Sequence, residues 1–148
     1  MKTKTRGFTL IELMITVTII GILSAIAYPK YIINTNNAKR ADAKGALFSL
    51  ANALEQWKMQ QSDPNKGYQD ATLGASGIFS DTVPLSGGTP TYYLRIDNLT
   101  ASTYTLVATP VSSDSALTLD NTGAKICDDG AATAFDDSQT WCINNAWQ

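Results

Sequence analysis

The chain has 148 residues and no histidine, so few of its side chains could do chemistry. One group is Cys127 and Cys142, with the carboxylate pairs Asp128-Asp129 and Asp136-Asp137 between them; the other is Glu12, alone in an apolar run. Without imidazole there is no Ser-His-Asp or Cys-His nucleophile and no histidine-held metal. Two cysteines by themselves lack the other ligands of a zinc site. Oxygen-rich loops can take calcium, but the aspartate spacing matches no defined calcium loop; residues 128–137 read as a solvated loop, with calcium binding left open. Aspartate pairs alone do not make a catalytic constellation. Neither an enzyme nor a resident cofactor or metal is expected.

Glu12 leads to the element that carries it. From Phe8 to Tyr28 there are 21 residues with Glu12 as the single charge, behind a basic start made of Lys2, Lys4 and Arg6. About 20 apolar residues suffice to cross a bilayer as a helix, and a basic start fits retention of that end in the cytoplasm. The run exceeds the usual signal-peptide core of about 7–15 residues, and Ser24-Ala25-Ile26-Ala27 is a loose cleavage match. A carboxylate in a span costs roughly 2.5–3.5 kcal/mol on insertion scales, so Glu12 needs a partner. The rest of the chain then lies outside the cytoplasm. There an even cysteine count reads as a disulfide. Joining Cys127 to Cys142 closes a loop of about 15 residues, worth roughly 3 kcal/mol in the chain-entropy model.

Gly7-Phe8-Thr9-Leu10-Ile11-Glu12-Leu13-Met14 resembles the cleavage and methylation motif of type IV prepilins and pseudopilins. The resemblance implies a leader, residues 1–7, removed between Gly7 and Phe8 by a prepilin peptidase that also N-methylates Phe8. It implies that Glu12 meets the Phe8 amino group of a neighbouring subunit. Gly21 and Pro29 also match the family, in a stretch often unwound in filaments of similar pilins. Physically, glycine weakens a helix and proline removes a hydrogen bond, so this stretch can kink or melt.

The body follows a different pattern. Ala43, Ala46, Leu47, Leu50, Ala53, Leu54 and Trp57 recur at steps of three and four, which makes an amphipathic helix to about residue 61, stopped by Ser62-Asp63-Pro64-Asn65. The basic pair Lys39-Arg40 reads as solvated, or as facing acids on a neighbouring subunit. Residues 62–90 read as a surface loop packed over a sheet. Strands are expected at 91–96, 103–109 and 116–120, with 124–126 as a candidate fourth. The expected fold class is α+β: a long N-terminal helix, apolar in its first half, whose second half packs on an antiparallel sheet of three to four strands. The expected division is leader 1–7, apolar transmembrane or filament-core helix 8–30, and globular head 31–148 with a 127–142 disulfide loop.

The stretch Tyr104-Thr105-Leu106-Val107-Ala108-Thr109-Pro110, followed by Leu117-Thr118-Leu119-Asp120 and Gly123, is most similar to small type IVa minor pilins. Those commonly place their first cysteine before the Leu-Thr-Leu strand; here both cysteines follow it. The implied function is a structural subunit of a type IV pilus, polymerising through its N-terminal helix, with the cellular role left open among twitching motility, cell adhesion, DNA uptake and secretion. The alternatives are a type II secretion pseudopilin and a binding pilin for adhesion or DNA uptake. Implied partners are other pilin subunits, the peptidase/methylase, an inner-membrane assembly platform and, before assembly, membrane lipid. The implied location is the inner membrane, single pass with a cytoplasmic N-terminus, and then the cell-surface pilus. From Phe8 onward the chain has eight basic against thirteen acidic residues and no basic-aromatic cluster in sequence, so nucleic acid is not an expected partner.

Overall fold

A computed structural model describes residues 7–112, 114–128, 142–143 and 146–147; of 127–128, 142–143 and 146–147 it describes the backbone alone. The chain divides into two compact units, Met1–Ala38 and Lys39–Gln148.

In the first unit the apolar run is helical because nothing breaks it. Helix α1 begins at Leu10 and continues to Gln60, with Gly21 and Pro29 both inside it. Its large apolar side chains are exposed throughout: Ile11 at 62%, Val17 at 60% and Leu23 at 61%. The helix is long and apolar enough to cross a membrane. Its threonines turn inward on their own turns. Thr16 donates its hydroxyl to the Leu13 carbonyl at 2.9 Å and Thr18 to that of Met14 at 2.7 Å. A hydroxyl satisfied this way can sit among apolar surroundings at little cost.

In the second unit the three- and four-residue spacing has its expected effect. Ala43, Ala46, Leu47, Leu50 and Leu54 are buried along one face of α1. Opposite them lie the inward residues of a five-stranded antiparallel sheet of order β1-β2-β3-β4-β5. Its strands are β1 (Thr82–Val83), β2 (Tyr92–Asp97), β3 (Thr105–Pro110), β4 (Ala116–Asp120) and β5 (Lys125–Asp128). Cross-strand register aligns Leu94 with Ala108, Ile96 with Leu106, Leu106 with Leu119, and Ala108 with Leu117. The alternating residues thus share one face, as period-2 patterning requires. This is the expected α+β arrangement, with one strand more than expected in the sheet. A two-stranded pair, β6 (Cys142–Ile143) with β7 (Ala146–Trp147), was not legible in the sequence.

The connection from α1 to β2 is less of a surface loop than its composition suggests. Tyr68 and Ala71 are buried in the core, Leu73, Ile78 and Phe79 pack against it, and Thr82–Val83 forms edge strand β1. The Tyr68 ring meets Tyr104 edge-on at 4.9 Å, and its hydroxyl donates to Glu55 at 2.7 Å. Gly67 allows the close approach, at φ +54°; a Cβ there would overlap the Ala101 carbonyl.

Candidate functional site

The start of α1 brings together three of the residues singled out from sequence. Gly7 and Phe8 precede the helix and are exposed, Phe8 at 79%. Thr9 is the N-cap, and the Thr9-x-x-Glu12 spacing forms a reciprocal cap. The Thr9 hydroxyl accepts the Glu12 N–H at 3.3 Å, and the Glu12 carboxylate accepts the Thr9 N–H at 2.9 Å and its hydroxyl at 2.6 Å. Both donors go to the same oxygen, Oε2, so Oε1 remains open to a further donor. Thr9 was not singled out in the sequence; the Thr-x-x-Glu pattern before an apolar run was the signal for it. Gly21 and Pro29 lie farther along, and a Cβ at Gly21 would meet nothing.

In the head, Arg40 of the basic pair departs from the reading made from sequence. Arg40 is neither solvated nor available to a neighbour, because it forks onto Asp114. Its Nε lies 3.0 Å from both carboxylate oxygens and its Nη2 2.7 Å from Oδ1. The two side chains are 14% and 10% exposed. Tyr92, 1% exposed, donates its hydroxyl to Asp114 Oδ2 at 2.8 Å, and the Ser115 N–H donates to Oδ1 at 2.9 Å. Burial pushes the Asp114 carboxyl up, but the hydrogen bonds from Arg40, Tyr92 and Ser115 and the Arg40 charge outweigh it, so the carboxyl sits below its ordinary value. Burial foremost, then the bond to Asp114, pushes the Tyr92 hydroxyl well up.

A basic-aromatic cluster also exists, although none is visible in the sequence. Lys44 and Phe48 are one helical turn apart on α1, and β5 brings the Lys125 ammonium to 5.4 Å from the Phe48 ring centroid. Phe48 is 44% exposed. Lys44 is lowered from its ordinary value, by burial first and then by the Lys125 and Arg40 charges. The 44/48 spacing was readable; its meeting with residue 125 depends on the fold.

The disulfide expected between Cys127 and Cys142 rests on side chains that are not described, and residues 129–137 of the loop left open to calcium lie outside the described residues. Among the described residues no group of acidic, histidine or cysteine side chains could hold a metal.

Comparison with known proteins adds the following. Residues 29–129 match the family model described as "Type IV minor pilin ComP, DNA uptake sequence receptor", and residues 2–28 match the prokaryotic N-terminal methylation motif. The chain is 43% identical over 53 residues to a type II secretion system core protein G of Pseudomonas aeruginosa, covering 36% of this chain and 37% of that protein. It is 54% identical over 50 residues to the type IV major pilin protein PilA of Myxococcus xanthus, covering 34% and 23%. The core protein G of Escherichia coli is 38% identical over 56 residues, covering 38% and 39%. The matched part thus spans well under half the length of each of these relatives. No solved structure matches the chain.

Proposed function

The chain belongs to the type IV minor pilin family whose model covers residues 29–129, with an N-terminal methylation motif before it, and on that premise we propose that it works as a pilus subunit held to its neighbours by the first half of α1. The observation that carries this reading is the apolar surface of residues 10–33, none of which is buried within the chain. A contiguous apolar surface of that size needs lipid or protein against it. Lipid serves before assembly, with the span in the inner membrane and the N-terminus cytoplasmic; copies of the same helix serve afterwards.

Cleavage after Gly7 and methylation of Phe8 place a cationic amine at the new N-terminus. In a filament this amine approaches Glu12 Oε1 of a neighbour, while Thr9 keeps Oε2 and holds the carboxylate in place. Gly21 and Pro29 let the intervening helix bend or unwind as it packs. The peptidase and an inner-membrane platform are the further partners this reading requires. The disulfide between Cys127 and Cys142 closes the end of the head. N-terminal sequencing and intact mass of sheared filaments test the whole reading. A methylated Phe8 terminus and a mass two hydrogen atoms short of the free dithiol are expected; a retained leader or absence of the chain from filaments contradicts it.

A second reading comes from the family description, which names a DNA uptake sequence receptor, and from the Lys44, Phe48 and Lys125 cluster. Cations around an exposed ring suit a nucleic-acid strand. The acidic balance of the body weighs against it. Duplex binding by the full chain that weakens steeply with salt and with Lys125→Glu supports this reading, and no binding at low salt removes it.

A further inference from the structure

We propose that, before assembly, the bilayer holds α1 in one register, centred on Gly21, with Glu12 at the cytoplasmic interface and Lys30, flanked by Tyr28 and Tyr31, at the opposite one. The inference deepens the membrane stage of the reading above and rests on it. Apolar side chains run from Leu10 to Ile33, about 35 Å of helix against a hydrocarbon core of about 30 Å, so apolarity alone does not fix which part is immersed. The polar groups at its two ends fix it. Glu12 and Lys30 are 18 positions apart, about 27 Å along the helix, and residues 13–29 between them carry no charge. A lysine near the end of a span keeps its stem in apolar surroundings and its charge in the headgroups. Tyr28 and Tyr31, 69% and 70% exposed, are of the type that collects at membrane interfaces.

The start of the helix gives an independent argument for the same register. The first carbonyl the helix uses is that of Thr9, which accepts the Leu13 N–H at 3.3 Å, so the amides of Leu10 and Ile11 have no carbonyl one turn before them within the helix. Hydrocarbon has no acceptor for them; headgroups and water do. The Glu12 carboxylate reaches back one turn, to the Thr9 N–H at 2.9 Å and hydroxyl at 2.6 Å, which carries the charge toward the cytoplasmic side of its own Cα. Immersing residues 8–27 would sink the carboxylate and the open amides, and immersing 14–33 would sink Lys30. The register centred on Gly21 does neither. Glu12 then needs no cationic partner while the chain is in lipid, and acquires that need only when the helix leaves lipid for a filament. The Gly7–Phe8 bond, which precedes the helix and is exposed, stands on the water side of the cytoplasmic interface, within reach of a peptidase.

NMR of the full chain in phospholipid bicelles tests the register without any filament. Amide relaxation is measured with a water-soluble gadolinium chelate and, separately, with lipid carrying a nitroxide at its chain end. The chelate effect should be smallest, and the nitroxide effect largest, within about one residue of Gly21. Glu12→Leu should move that centre about two residues toward the N-terminus. Lys30→Leu combined with Tyr28→Leu and Tyr31→Leu should move it about as far toward the C-terminus, with the head amide shifts unchanged in both variants. A native centre farther away, at about residue 18 or 24 for immersion of 8–27 or 14–33, overturns the proposal, as does a centre that neither variant moves. A chain that stays out of the bicelles overturns it together with the membrane stage of the proposed function. A centre at Gly21 in a chain that never enters filaments supports it and removes the pilus reading alone.

Discussion

The two halves of α1 are both rich in apolar residues, yet the chain treats them in opposite ways. Residues 10–33 leave every apolar side chain exposed, Leu10 at 77% and Ile20 at 62%, whereas Leu47, Leu50 and Leu54 are 0% exposed. The difference lies in pattern. An all-round apolar surface cannot be covered by one sheet and is kept for lipid or other copies, while a single stripe is fully covered by the chain's own β2, β3 and β4. Mutations in the second half should therefore read out in the stability of the head. Mutations in the first half should read out in assembly.

The largest stability effect is expected at the Arg40–Asp114 pair. Arg40→Ala leaves Asp114 largely buried without its partner and should destabilise the head by about 3–5 kcal/mol in denaturant melts. A loss below about 1 kcal/mol would place the pair among ordinary surface bridges. The pH dependence should follow the same group. Asp114 is depressed in the folded state, so its contribution is complete above about pH 4, the unfolded value, and is lost as pH falls through the lower folded value. Melts between pH 7 and pH 3 should show this loss, and Asp114→Asn should flatten it.

Leu50→Ala should cost about 2–5 kcal/mol, since it opens a cavity between α1 and the sheet. Its counterpart in the first half, Ile15→Ala, should leave the head melt unchanged within about 0.5 kcal/mol while lowering incorporation into filaments. Equal effects of the two on the melt would break the comparison. The smallest effect is expected at Thr9→Ala, which removes the cap and should loosen the first turn by about 1 kcal/mol, seen as faster exchange of the Glu12 and Leu13 amides. Because that change also frees the Glu12 carboxylate, filament yield should fall further than helix stability does.

What was legible in the sequence was periodic and local. The stripe from Ala43 to Leu54 and the alternation of Leu106 with Ala108 and Leu117 with Leu119 encode burial directly, and β4 is found at residues 116–120, as read. Strand β1 escaped because two residues carry no period. Val107 points away from the helix-facing row yet is 5% exposed, which alternation alone does not predict. Arg40 and Asp114 are 74 positions apart, so their pairing depends on how the sheet turns after β3. Tyr92 was legible only as part of the strand at 91–96, but its ring fills the core and its hydroxyl donates to Asp114. At the N-terminus the reverse held: motif and apolar run are contiguous, so the methylation motif and the helix could be read from their residues, apart from the capping role of Thr9.

The central claim, that the first half of α1 is covered by neighbouring copies and the head is not, is tested most directly by methionine oxidation in sheared, leader-free filaments. Met14, on the apolar half, and Met59, near the end of α1 in the head, are 58% and 82% exposed in the single chain. Under a graded dose of peroxide, with sulfoxide quantified by peptide mass spectrometry, Met59 should oxidise readily and Met14 at least about tenfold more slowly. Oxidation of both at the same rate in intact filaments would contradict the account.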